Sequence, residues 1–424
     1  MFRRAAPALA LMSFLLVAVA AAAAAVPGDL DGSFSTDGKA TTNFTTGFDS
    51  ASAVLVQGDT KIVAVGMAAG NGGRFALVRY ASDGILDTSF GGGDGKVVTD
   101  FTSGFEAAFD GALDAAENII AVGRAGGSGG RFAIARYTTD GTLDPSFGGG
   151  DGKVTTNFTS GDDFAFSVAI QPSDGKIVVA GRAGGSGGVV ALARYTTDGT
   201  QDTSFGGDGK VTTNITSGDD RADAVAVRPL VEKIVVVGTA NYFGANGKFA
   251  VAQYNEDGTP DTSFSTDGKL TTDFTSAFDG GFALAIPPSG KIVAAGQAGG
   301  AVGLASYDTD GSLDLSFGGG DGKLTTNFTK GADYFDDLLV DANGKIVAGG
   351  SANFFGPNSR FALARYNADG TLDTSFSGNG KLTTDFTTGF DGIYGVAVTP
   401  DAKIVAGGYG GGSGGRFAVA RYVG

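Results

Sequence analysis

A Ser-Phe pair in the frame LDxSF, with Gln201 and Pro260 replacing the leucine in two copies, returns seven times along the chain. Its phenylalanines are Phe34, Phe90, Phe147, Phe205, Phe264, Phe317 and Phe376, at intervals of 56, 57, 58, 59, 53 and 59 residues. A period of this size marks one supersecondary unit written many times. Such a unit cannot bury its apolar faces alone and must stack on its own copies.

Residues 161–217 illustrate the unit. Asp163–Gln171, Lys176–Arg182, Val189–Tyr195 and Lys210–Ile215 are short runs of period two or rich in β-branched residues. Asp174-Gly175, the run AGGSGG at 183–188 and Thr197-Asp198-Gly199 separate them with turn chemistry. No segment has a helical period. Four strands in each of seven repeats predict an all-β fold, a seven-bladed β-propeller of four-stranded antiparallel blades. A linear solenoid would need capping repeats, which the pattern lacks. The last repeat stops after its third strand, at Arg421-Tyr422, while Lys39–Phe44 reads as a fourth strand without a blade. Residues 39–45 are therefore expected to complete the seventh blade, which removes open sheet edges. In Arg131–Tyr137, Phe132 and Ile134 share one face and Ala133 and Ala135 the other. Large faces should pack on small faces of neighbouring blades.

Residues 1–25 carry Arg3 and Arg4, an apolar stretch and Ala23-Ala24-Ala25, the pattern of a secretory signal peptide. Residues 26–424 then form a single propeller domain, expected to be secreted, extracellular or periplasmic. The net charge of −15 disfavours nucleic acid and anionic lipid as partners. Histidine, cysteine and tryptophan are absent. That excludes disulfides, a Ser-His-Asp triad, a Cys-His pair and nitrogen or sulfur metal sites.

The frame DGxLDxSFGxxGKvTTxF, followed by runs like DGKIVvaG and RFAlARY, resembles the bacterial delta-60 repeat family. Asp140–Phe158 is close to that pattern, and the resemblance spans all seven repeats. It implies a propeller on an exported or surface protein and says little about activity. Gln253 and Ser306 depart from it by replacing the arginine before the tyrosine.

One candidate site is a ring of acids near the start of each first strand: Asp49, Glu106, Asp163, Asp220, Asp279, Asp333 and Asp391. Around a channel mouth they could hold Ca²⁺, the one cofactor the sequence suggests. Alternatively each accepts N–H bonds in its own turn. The pairs Asp83/Asp87 and Asp140/Asp144 lack the order of a calcium loop and read as Asx-turns. A third candidate is less repetitive. Tyr242-Phe243 and Phe354-Phe355 place paired aromatics where other repeats have glycine-rich loops, and Tyr334 and Tyr394 could extend that surface. All six are expected on the same face as the acids. The Asn-x-Thr sequons at Asn43, Asn157, Asn214 and Asn327 mark a polar outer-strand position. No pair of acids is expected to stand apart from its repeat counterparts.

These readings predict a monomeric, non-catalytic binding or adhesion scaffold without catalytic residues. Its partner would be an extracellular protein or polysaccharide, with no nucleic acid and no membrane. A carboxylate-dependent enzyme acting on extracellular polysaccharide and a calcium-stabilised scaffold are the alternatives.

Overall fold

A computed structural model describes residues 25–70 and 72–424. The leader assigned to residues 1–25 lies outside them, but for Ala25. The described chain forms seven four-stranded antiparallel sheets. Their inner strands are Asp49–Val56, Ala107–Leu113, Phe164–Ile170, Arg221–Arg228, Asp279–Ala285, Tyr334–Val340 and Gly392–Val398, which number blades one to seven. In blade three the strands are Phe164–Ile170, Ile177–Ala183, Val189–Tyr195 and Lys210–Thr213. The four expected runs are present, with the fourth shorter than its β-branched composition suggests.

The ring closes as expected. Lys39–Thr42 pairs with Arg416–Tyr422, Lys39 opposite Ala420. Gly28 N donates to Val423 O at 2.8 Å and Asp31 N to Arg421 O at 2.8 Å. The seventh blade is therefore built from both chain ends.

Packing follows the large/small alternation. Phe132 and Ile134 of blade two meet Ala165, Ala191 and Ala193 of blade three. Ala133 and Ala135 on the reverse face meet Val63, Val65, Phe75 and Leu77 of blade one. Both faces of each sheet are dry, so the stabilisation comes from burial at blade interfaces.

Three repeated contacts rivet neighbours together. First, each LDxSF phenylalanine is fully buried, and six of them lie against the left-handed glycine of the next blade's turn, as Phe147 does against Gly199 (φ +85°). A side chain there would overlap the ring. Second, five arginines, Arg79, Arg136, Arg194, Arg365 and Arg421, bind an aspartate of the LD pair at 2.8–2.9 Å. Their guanidinium groups lie 4.6–4.9 Å from the phenylalanine ring centroids. Third, all seven tyrosines of the RY motif share a hydrogen bond with a threonine on the preceding blade's outer strand. Tyr195 Oη donates to Thr156 Oγ1 at 2.6 Å, for example. Where Gln253 replaces the arginine, it still donates to Asp261 at 2.8 Å. Arg228 then bonds Gln253 Oε1 at 2.9 Å and crosses to Gly290 O at 2.7 Å.

Every inner strand carries a β-bulge two to four residues after the recurrent acid. The bulge brings a carbonyl of the inner strand against strand two. The glycine of the KIVVAG run, Gly181 in blade three, sits there because a Cβ would overlap Phe164 O. The residue left unpaired by the bulge is Ser52, Phe109, Phe166, Asp223, Phe282, Asp336 or Tyr394. This position lines the central channel in all seven blades.

Candidate functional site

The seven recurrent acids do not face a common ion. Each is fully buried and saturated by its own blade. Asp163 accepts from Phe158 N at 2.8 Å, Thr159 N at 3.2 Å, Thr159 Oγ1 at 3.0 Å and Gly184 N at 2.9 Å. Asp49, Asp220, Asp333 and Asp391 repeat that four-donor pattern. Asp279 accepts from Phe274 N, Thr275 N and Thr275 Oγ1, and Glu106 from Phe101 N and Thr102 N. Among the described residues no three acidic side chains gather as a metal-holding group. The calcium ring is thereby corrected. These acids clasp the loop entering each inner strand, mostly to the loop between strands two and three. The LD aspartates form Asx-turns: Asp83 accepts from Ile85 N and Asp87 from Ser89 N, both at 3.0 Å.

The aromatic residues do converge. Tyr242, Phe243, Phe354, Phe355, Tyr334 and Tyr394 all line one cavity of about 1140 Å³ at the channel mouth. The long loops that carry four of them are tied down by the clasp. Asn241 N donates to Asp220 Oδ1 and Tyr242 N to Asp219 O; Asn353 N donates to Asp333 Oδ1 and Phe354 N to Ala332 O. Phe354 then stands edge-on to Tyr334, centroids 4.8 Å apart. Phe243 and Phe355 remain 71% and 80% exposed at the lip. Between these loops, blade five turns with Gly299-Gly300 alone. Both glycines line the cavity, so the mouth has a notch between two aromatic posts.

Below the lip the wall changes character. Arg221, in the inner strand of blade four, grips Asp223 on the same strand through Nε–Oδ2 at 2.9 Å and Nη2–Oδ1 at 2.7 Å. Its guanidinium lies 3.6 Å from the Tyr242 ring centroid, with Phe166 and Phe282 at 5.2 and 5.8 Å. Asp336 faces the same space from blade six, and its Oδ2 is buried without a hydrogen-bond partner. Burial pushes the Asp223 carboxyl up to about 6, against the pull of Arg221. Asp336 is raised well above the usual carboxylate range, first by burial, then by the charges of Asp223 and Asp337. Two further acids line the cavity but are committed elsewhere. Asp110 accepts from Ser167 Oγ and Val168 N at 2.9 Å, and Asp337 from Val396 N at 2.7 Å, each bridging to the following blade. Burial raises them to about 6 and about 7.

Arg221, Asp223, Asp336, Phe166 and Phe282 escaped the sequence reading, and the expectation that no acids stand apart from their counterparts is corrected by Asp223 and Asp336. The signal was present. At the third residue after the recurrent acid, seven otherwise similar repeats read Ser, Phe, Phe, Asp, Phe, Asp and Tyr. The strand-two glycine announces the bulge that aims this position inward.

Six segments, 57–90, 118–147, 173–205, 233–264, 288–317 and 342–376, match the family described as a domain of unknown function (DUF5122) β-propeller. The chain carries DUF5122 β-propeller repeats. No curated protein matches it. Among solved structures, virginiamycin B lyase from Staphylococcus aureus is similar over 91% of this chain and 99% of its own, with a TM-score of 0.54 and 9% identity. A catalytically inactive form of that enzyme with quinupristin gives 0.52 and 8% over the same shares. A chain of a mitotic checkpoint complex gives 0.51 and 10%, over 98% of each. At these identities the likeness is one of fold. The expectation of a non-enzyme is nevertheless corrected, because this fold is no ground against catalysis. A propeller of this shape and extent serves a lyase, and the channel here holds acids outside the repeat pattern.

Proposed function

We propose that the protein binds a glycan, with one end of the chain seated in the channel mouth and the rest leaving through the notch above blade five. The observation that carries this reading is the convergence of aromatic faces, a tethered arginine and free carboxyl oxygen on one cavity, at the position where the repeats diverge. Elimination supports it. Among the described residues, an anionic ligand would meet four carboxyl groups and a single cation, itself already neutralised by Asp223. A cationic ligand would seek the aromatic faces, yet Arg221 already occupies Tyr242. A neutral polyhydroxylated ligand suits what remains: C–H faces against rings, and hydroxyls donating to carboxyl oxygens.

The leader-like residues 1–25 and the likeness of the repeats to the delta-60 family support an extracellular or periplasmic setting. An extracellular polysaccharide is then the natural partner of a monomeric propeller. Titration calorimetry with a panel of neutral hexose oligosaccharides tests the reading. Saturable binding that Tyr242→Ala weakens about tenfold or more, the loss expected of an anchoring aromatic, is the expected result. Absence of binding across the panel sinks it.

A further inference from the structure

We propose that Asp336 and Asp223 are the acid–base pair of a glycoside-hydrolysing site in the channel. Asp336 delivers a proton to the glycosidic oxygen, and Asp223 takes one from the attacking water. This rests on the glycan reading above.

Geometry separates this pair from every other acid at the mouth. The seven clasp acids are saturated by loop donors, and Asp110 and Asp337 are spent on neighbouring blades. Asp223 and Asp336 both occupy the bulge position, which leaves their side chains unpaired with strand partners and lining the cavity. Their surroundings differ as acid–base chemistry requires. Asp223 is held by both nitrogens of the Arg221 fork, which favours its carboxylate form. Arg221 is itself fixed against Tyr242. Asp336 has no such cation in hydrogen-bond contact, and its Oδ2 is buried without a hydrogen-bond partner, so no fixed donor of that kind favours its carboxylate form. Burial and the charges of Asp223 and Asp337 raise Asp336 well above the usual carboxylate range, whereas Asp223, gripped by Arg221, is raised only to about 6. Two carboxyl groups pushed apart in this way flank the scissile bond in glycoside hydrolysis.

The step balances with water as the only co-reactant. The Asp336 proton moves to the glycosidic oxygen, and the electron pair of the C1–O bond leaves with that oxygen. Water oxygen bonds to C1 and its proton passes to Asp223. Transfer of that proton back to Asp336 through solvent resets the site. Asp223 and Asp336 would be catalytic residues, and Arg221 a positioning residue acting through Asp223.

The experiment measures cleavage of a panel of 4-nitrophenyl glycosides and of the oligosaccharides used for binding, by wild type, Asp336→Asn and Asp223→Asn. Melting curves confirm that each variant is folded. The expected result is hydrolysis by wild type and a loss of about 10²–10⁴-fold in kcat for either variant, the range for general acid–base groups, with oligosaccharide binding reduced far less than the rate. Asp336→Asn should recover much of its rate on a 2,4-dinitrophenyl glycoside, whose leaving group needs no proton, and Asp223→Asn should not. That recovery distinguishes proton delivery from loss of structure. Binding without cleavage by wild type overturns the hydrolysis and leaves the glycan reading standing. Equal losses for Asp336→Asn on both leaving groups also overturn its role as the acid. No binding and no cleavage overturn both readings.

Discussion

The rim and the channel wall of this propeller are written by the same seven repeats under opposite rules. At the rim the blades agree. Seven buried phenylalanines, seven tyrosine–threonine hydrogen bonds and five arginine–aspartate pairs recur in register. Where Gln253 breaks the pattern, Arg228 reaches in to cover the gap. At the channel wall the bulge position reads Ser52, Phe109, Phe166, Asp223, Phe282, Asp336 and Tyr394, with no common chemistry. Uniformity marks a position whose job is to hold one blade to the next, since each blade needs the same rivet. Divergence in a repeat protein marks a position freed from that job. The unsatisfied Asp336 oxygen sits at such a position.

The comparison breaks first at the phenylalanine rivets. Phe147 is fully buried between blades two and three. Phe147→Ala should cost about 3–5 kcal/mol, the range for emptying an aromatic from a packed core, and lower the melting midpoint sharply. A shift no larger than that of a surface substitution would show that the repeat frame is not what holds the ring. A smaller effect is expected at the tyrosines. Tyr195→Phe leaves Thr156 Oγ1 without its partner and should cost about 1–2 kcal/mol. A neutral result there would confine the rivet to the ring packing of Tyr195.

Acidity separates the two regions as well. The rim acids Asp87, Asp202, Asp261, Asp314 and Asp373 are held down to about 2, by serine hydroxyl and lysine or arginine contacts that outweigh burial. Their contribution is present above the unfolded carboxyl value of about 4 and lost as pH falls through the folded one. The channel acids Asp110, Asp223, Asp336 and Asp337 are raised. Their effect has the opposite sign: full below about pH 4 and lost as pH rises toward neutrality and beyond. The melting midpoint should therefore climb as pH is lowered from about 8 to about 5 and collapse below about 4. Asp336→Asn should flatten the upper limb and stabilise the protein near pH 8, because it removes an unpartnered buried acid. A variant that is more stable and less active is the signature of a site kept at a cost to stability.

Much of the fold was legible because its signals are local and repeated seven times. Strand runs, turn glycines and the orphan strand at Lys39–Phe44 needed no tertiary information. The aromatic posts were also legible, since Tyr242-Phe243 and Phe354-Phe355 interrupt glycine-rich loops. The carboxyl pair was not. Asp223 and Asp336 lie more than a hundred residues apart, and reading for recurrence drew attention to the acids every repeat shares. Those acids are saturated by backbone N–H groups, a fate decided by loop geometry rather than by residue type. Aligning the repeats for difference instead of likeness would have singled out the bulge column.

The sharpest form of the comparison is the same deletion made at both places. Phe355 and Phe147 lose the same ring on substitution by alanine, but Phe355 is 80% exposed at the lip and Phe147 is fully buried. Phe355→Ala removes little area that folding had taken from water, so its stability should stay within about 0.5 kcal/mol of wild type, as for most surface positions. Its effect should appear in oligosaccharide binding instead, measured by the same calorimetry as Tyr242→Ala. Phe355 is exposed at the lip and touches Phe354, whereas the Tyr242 ring lies against Arg221. Its loss should therefore weaken long oligosaccharides that reach through the notch and leave short ones unaffected. Equal weakening of long and short ligands would place the polymer over some other part of the mouth. A marked loss of stability would mean that the lip belongs to the frame after all.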